Sequence, residues 1–271
     1  SGRGAGQPII VLDGPNRERL IVSEEHYRYV QKTQRLLRGV TRPTITEGAV
    51  CFGFNLGLDN RETVPPFMPV LRGEDSMFTA VFRAATTDGF FAILPWLVYH
   101  AGAGVKQRPE KLDAKKIATL VFSDLIGLIL QSYQARTFEN SPALRLRSIR
   151  DMLVEIGSLS GAEFERIMRV LWWQTASNQI ARLETTLKAH SNKPEFWSQD
   201  IIAYVDQYRH TLVDPQSIVA ADVAANFGEA AAFEKQRELI RLYGELVGAW
   251  SDLRQAAIEL RGREGSFGKR I

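Results

Sequence analysis

The sequence predicts an α+β chain that is predominantly α: a small mixed α/β module over residues 1–110, followed by an all-helical domain over 111–271. Three observations carry that expectation. Prolines, glycines and short apolar runs crowd the first 110 residues. From Lys111 onward the composition shifts to helix formers. In the last long segment the apolar residues alternate steps of four and three, the period of a helix packed on another helix.

The N-terminal Ser-Gly-Arg-Gly-Ala-Gly-Gln offers nothing to a core and is expected to be a flexible lead. Residues 9–12 and 20–22 are apolar runs flanking Asp13-Gly14-Pro15-Asn16, turn residues that predict a hairpin or a strand-loop-strand unit. Ser23, followed by Glu24 and Glu25, marks a helix start, and Gly39 stops that helix after Arg38. Residues 50–58 mix aromatic and small residues with Gly53 and Gly57 and read as a strand, which Asp59-Asn60 turns. Pro65, Pro66 and Pro69 forbid a helix before Arg72, whereas Met77, Phe78, Val81 and Phe82 give helical spacing from Glu74 to Ala85. Residues 90–94 read as a buried strand running into Pro95-Trp96, and 101–111 read as a linker.

In the second half, residues 117–130 are the most apolar stretch. Ser123, Asp124 and Gly127 interrupt it and it is too short to span a bilayer, so a buried helix is expected. Breaks near 140–142, 157–160, 191–194 and 214–215 divide the remaining helices. Leu239, Tyr243, Leu246, Trp250, Leu253, Ala257 and Leu260 form the stripe of the last helix, and the tail 261–271 is expected to fray.

The chain is 45% hydrophobic and 24% charged, an ordinary globular balance, with a net charge of +3. Residues 1–110 hold 13 Lys+Arg against 11 Asp+Glu, and the remainder 21 against 20. Neither half supplies the cationic surface that a phosphate backbone demands, so nucleic acid is not an expected partner. Cys51 is the single cysteine, which excludes an internal disulfide and a cysteine-based zinc site and points to a reducing, cytoplasmic setting. No signal-peptide pattern and no transmembrane segment is read.

The chemistry-bearing residues gather between Gly57 and His100. Glu74 and Asp75 follow a glycine and open a helix, where the dipole and free N–H groups favour ionised carboxylates. A carboxylate so placed can take a proton from an attacking hydroxyl, which contributes about 10²–10⁴-fold in rate. The plain alternative is a first-turn acidic pair with no catalytic role. Asp59-Asn60-Arg61 put an acceptor, an amide and a guanidinium fork on one turn, suited to polyhydroxyl or phosphate groups, or simply to turn chemistry with Arg61 in an ion pair. His100 is either a ligand of a divalent ion or a structural histidine.

In order, these pieces resemble the acceptor-side half of GT-A-fold glycosyltransferases, the family-2-like group that includes the polypeptide N-acetylgalactosaminyltransferases. Residues 51–58 resemble that group's glycine-bearing strand, Arg72-Gly73-Glu74-Asp75 its acidic helix start, and residues 90–100 the returning strand that ends in a metal-binding histidine. The resemblance covers about a fifth of the chain, roughly residues 48–104. It implies inverting, metal-dependent transfer of a sugar from a nucleotide sugar to a hydroxyl acceptor. Asp75 would be the base and Glu74 would orient the acceptor. His100 would complete coordination of Mn²⁺ or Mg²⁺ on the donor diphosphate. Asp59, Asn60, Arg61, Arg72 and Trp96 would bind substrate, with Phe67 a further apolar face for a sugar ring.

The donor half of that group carries an Asp-x-Asp motif, and the sequence contains none. The expectation is therefore a C-terminal portion of a longer enzyme, inactive alone, or a fold reused without the chemistry. A reading from another class is a non-catalytic helical interaction or scaffold protein. There Trp172-Trp173 and Leu239, Tyr243, Leu246, Trp250 and Leu253 would meet a partner helix or a second copy. A third is a metal-dependent hydrolase built on Asp59, Asp75 and His100, for which no close-spaced ligand pair is present.

Overall fold

Trp197 ties the N-terminal segment to the helical second half of the chain. In the computed structural model its ring is fully buried, its indole N–H donates to the carbonyl of Ile10 at 3.3 Å, and the Arg17 guanidinium lies 4.1 Å above the ring. The structure describes residues 10, 12, 14–33, 40–46, 56–59, 61, 64–86, 89–96, 119–134, 141–213 and 218–264.

Nine helices and two strands make up these residues, a predominantly α architecture with a small antiparallel β part. The segment Gly14–Leu20 is a helix, α1, where the sequence suggested a hairpin turn. Pro15 takes one of the first helical positions, where its missing N–H costs nothing. Arg17 and Leu20, three residues apart, then bury their side chains together. The Arg17 side chain also donates to the carbonyl of Asn192, so a tertiary partner far along the chain overrides the local turn signal.

Helix α2 (Glu24–Thr33) starts as expected, with the Ser23 hydroxyl accepting the His26 N–H at 3.1 Å. Its inner face converges on one carboxylate oxygen: Tyr27, Arg28 and Gln31 donate to Asp200 Oδ2 at 2.9, 2.7 and 2.8 Å. Burial, reinforced by the Asp200 charge, drives the Tyr27 hydroxyl far above the ordinary phenol range.

Strand β1 (Thr44–Thr46) pairs antiparallel with β2 (Phe91–Ile93), Ile45 lying opposite Ala92. The strand expected over 90–94 is present, but it is not buried: Phe91 is half-buried, and Phe90, Ala92, Ile93 and Leu94 are exposed. Between the strands, α3 (Glu74–Ala85) matches the expected helix, with Met77, Phe78 and Val81 turned into the core. Most of the strand expected over 50–58, the linker expected over 101–111, and Cys51 lie outside the described residues.

The second half is helical throughout its described length: α4 (Phe122–Gln134), α5 (Pro142–Ser158), α6 (Gly161–Ala189), α7 (Glu195–Val213), α8 (Ala221–Phe227) and α9 (Glu229–Glu264). Ser160 and Glu163 form a reciprocal capping box at the start of α6. Gly228, at φ +85°, parts α8 from α9 at a break the sequence reading did not mark. The last helix runs to Glu264, beyond the point at which fraying was expected.

Helix α9 lies along α5 with backbones nearly touching. A Cβ built on Gly157 would stand 2.8 Å from the Arg237 carbonyl oxygen, and one on Gly244 would stand 2.8 Å from the Leu153 Cβ. Helix α3 packs on α4 and α5, and one hydrophobic cluster runs through Tyr27, Met77, Leu125, Ile149, Trp197 and Tyr243. Residues from both sides of position 110 therefore share a single core.

The starts of α4 and α8 hold each other. Ala221 N–H donates to the Leu120 carbonyl at 2.9 Å and Phe122 N–H to Asp222 Oδ1 at 2.8 Å, while Val121 N–H donates to Asp124 Oδ2 at 3.0 Å. Burial raises the Asp124 carboxyl above its ordinary range; the Val121 hydrogen bond opposes this, and the Asp222 charge adds to it. A raised folded-state pKa means that the stabilising contribution is complete below the unfolded value and is lost as pH rises through the folded one. Asp124→Asn keeps an acceptor for Val121 and removes the charge. It is expected to raise the melting temperature at neutral pH, with the gap closing toward acid. Melts recorded from about pH 3 to pH 8 test this, and a gap independent of pH would contradict it.

Candidate functional site

The acidic helix start stands at the end of a strap braced from two sides. Residues 64–70 form no helix, as three prolines require. Pro65 and Pro66 are buried, and the Pro66 carbonyl accepts the Tyr243 hydroxyl of α9 at 3.2 Å. Phe67 stacks on Phe78 of α3 with ring centroids 4.3 Å apart and planes within 9°. Phe67 is thus held as a packing residue of the strap.

The strap then turns sharply. Leu71 has φ +65°, the only positive φ among the described non-glycine residues, and Gly73 has φ +96°. A Cβ on Gly73 would lie 2.6 Å from Ser123 Oγ at the head of α4, so conformation and space both demand glycine there. The Gly73 carbonyl accepts the N–H groups of Ser76 and Met77, each at 3.0 Å, which opens α3. In this frame Leu71 packs against the core, while Arg72 and Glu74 are exposed and Asp75 is half-buried. Left-handed backbone at a leucine is strained, and strain of this kind is kept where surrounding contacts fix it.

The earlier turn is simpler. Asp59 accepts the backbone N–H of Arg61 at 3.1 Å and its guanidinium at 2.5 Å, both side chains being largely in solvent. The hydrogen bonds from Arg61 hold the Asp59 carboxyl down to about 2. The Arg61 carbonyl accepts Arg254 Nη2 of α9 at 3.1 Å, so this turn rests on the same helix as the strap. Asn60 and His100 lie outside the described residues.

Trp96 follows β2 and is 81% exposed. Phe91 meets Phe82 edge-on at 5.2 Å, which seats the two strands beside the third turn of α3, about 12 Å along the helix from Glu74. The described structure thus sets Arg72, Glu74 and Asp75 on one turn and Asp59 with Arg61 on another. Trp96 belongs to the ribbon. Among the described residues there is no group of three or more His, Cys, Asp or Glu side chains that could hold a metal ion. The ligand set implied for Mn²⁺ or Mg²⁺ would have to include His100.

Sequence reasoning passed over an open cleft of about 400 Å³ between α5 and α9, lined by Arg147, Arg150, Asp151, Glu245, Gly248 and Ala249. Arg150 pairs with Asp151 at 2.7 Å and Glu245 with Arg241 at 2.5 Å, so much of its charge is already matched. Gly248, which admits the Arg150 stem, is the one sequence signal that pointed to it. No described helix is long and apolar enough to cross a membrane. Comparison with protein-family models, curated proteins and solved structures finds no match to this chain.

Proposed function

We propose that residues 48–104 act as the acceptor-side module of a glycosyltransferase-like protein that transfers a sugar from a nucleotide sugar to a hydroxyl acceptor with inversion. The observation that supports this reading is the braced turn at Leu71–Gly73, which presents two carboxylates at a helix N-terminus. The Glu74 side chain makes no hydrogen bond or ion pair with any described residue. In the proposed reaction Asp75 accepts the acceptor hydroxyl proton as that oxygen bonds to the sugar carbon and the carbon–phosphate oxygen bond breaks. Glu74 and Arg72 orient the acceptor. The turn of Asp59, Asn60 and Arg61 and the ring of Trp96 are further substrate contacts in this reading. Mn²⁺ or Mg²⁺ remains part of the proposal through His100, where it would offset charge on the departing diphosphate.

Thermal-shift titration with UDP-, GDP- and TDP-sugars plus Mn²⁺ tests it. A nucleotide sugar at a hundredfold excess over Kd is expected to raise the melting temperature by roughly 5–10 °C. His100→Ala abolishes that shift. Asp75→Asn retains the shift but lowers transfer to an acceptor by about 10²–10⁴-fold. Absence of any shift would count against a donor site and favour the second reading, an interaction protein.

That second reading has its own support in α9. Leu239 and Tyr243 are buried within the chain, but the outer end of the helix leaves Leu253 50%, Ile258 50% and Leu260 45% exposed. Trp172 is buried and Trp173 is 45% exposed, so the tryptophan pair is divided between core and surface.

A further inference from the structure

The two-stranded ribbon carries an apolar face that no described element covers. Opposed residues of an antiparallel pair share a face, so Ile45 and Ala92 point the same way, with Phe90 and Leu94 in phase two residues on either side. Phe91, out of phase, points to the opposite face and meets Phe82 of α3. The outward set is exposed throughout: Ile45 73%, Phe90 61%, Leu94 59% and, just beyond, Trp96 81%. Together they expose on the order of 500 Å² of apolar surface, enough to mark an interaction site.

Among the described ribbon residues, 40–46 and 89–96, there is no Asp or Glu, and Arg42 is exposed beside β1. Arg83, exposed in the last turn of α3, is the neighbour of Phe82, on which the ribbon rests. A second copy docking through the same face would bury only about 1,000 Å² in total, less than the roughly 1,200–2,000 Å² of a specific dimer. Tryptophan and phenylalanine beside apolar aliphatic residues, with arginine at the margin, are the groups that favour a bilayer's headgroup boundary.

We propose that this face docks on an anionic membrane surface: Ile45, Phe90, Leu94 and Trp96 enter the headgroup–acyl boundary while Arg42 and Arg83 meet lipid phosphates. Such docking is peripheral and needs no spanning helix. It shares only Trp96 with the sugar-transfer reading, and vesicle binding without a nucleotide sugar tests it apart from that chemistry.

Co-sedimentation of the full chain with phosphatidylcholine vesicles and with mixed phosphatidylcholine–phosphatidylserine vesicles tests it. The chain is expected to pellet with the mixed vesicles, and Leu94→Ala/Trp96→Ala to lower the partition coefficient by about tenfold or more. Both positions are exposed, so an unchanged melting temperature and circular dichroism spectrum will confirm that the variant is folded. Brominated lipids quench the fluorescence of the parent, and Trp96→Phe removes that quenching. Arg42→Glu/Arg83→Glu weakens binding to the mixed vesicles. No binding to either vesicle, or equal binding by the Leu94/Trp96 variant, overturns the proposal. Equal binding to both vesicle types overturns the assignment of an anionic surface. A dimer that the Leu94/Trp96 substitutions convert to monomer would also overturn it, by giving the face to a second copy.

Discussion

Gly157→Ala lowers the stability of the chain, although alanine is the better helix former. By propensity alone the substitution inside α5 would gain about 1 kcal/mol. Here the new Cβ would stand 2.8 Å from the Arg237 carbonyl oxygen and 2.9 Å from the Arg241 nitrogen, backbone atoms of α9 that cannot rotate away. Forcing two packed helices apart costs typically 1–3 kcal/mol, so the clash outweighs propensity and the melting temperature falls by several degrees. Gly244→Ala meets the Leu153 Cβ at 2.8 Å and is expected to act in the same direction. Gly127→Ala is the control: it lies inside α4 with nothing within 4 Å of its Cβ, and propensity alone should raise stability. Equilibrium denaturation of the three variants decides the matter. Stabilisation of all three would mean that α5 and α9 are not in such close contact.

Trp197→Ala has a still larger expected cost, about 3–5 kcal/mol, as for other fully buried tryptophans. Loss of area is only part of it. The Ile10 carbonyl loses its donor and the Arg17 guanidinium loses the ring beneath it. Arg17 is fully buried with its Nε already unpartnered, and without the ring it keeps only the Asn192 carbonyl and the Glu18 carboxylate. Release of α1 follows, read as new tryptic cleavage at Arg17 or Arg19 under conditions in which the parent resists. Trp173→Ala, at a half-exposed position, is expected to cost much less and to leave those sites protected. Equal losses from the two substitutions would remove Trp197 from its position as the anchor.

Local chemistry made some elements legible and tertiary contacts hid others. The start of α3 could be read because prolines block a helix before Arg72 and apolar spacing begins at Met77, both properties of a dozen consecutive residues. The Ser23 cap was readable for the same reason. Helix α1 was not, because Asp-Gly-Pro-Asn is turn chemistry and its helical fate rests on Trp197, far along the chain. The exposure of β2 was missed because an all-apolar run reads as interior, and nothing local reveals that its one partner among the described residues is the short Thr44–Thr46 strand. At the candidate site, the acidic pair and its glycine were visible in the sequence. Their bracing was not: Tyr243 lies 177 residues from Pro66, and Ser123 reaches Gly73 only in the folded chain.

The bond between Trp197 and Ile10 also sets a timetable. The two residues are 187 positions apart, so during synthesis at about 5–20 residues per second the first helix waits roughly 10–40 s for its partner to be made. Through that interval Leu20, Tyr27 and Val30, all fully buried at the end, have no Trp197 or Asp200 to meet. Helix α1 is thus made well before the residues that secure it, and over that interval a ribosome-associated chaperone would have reason to hold it.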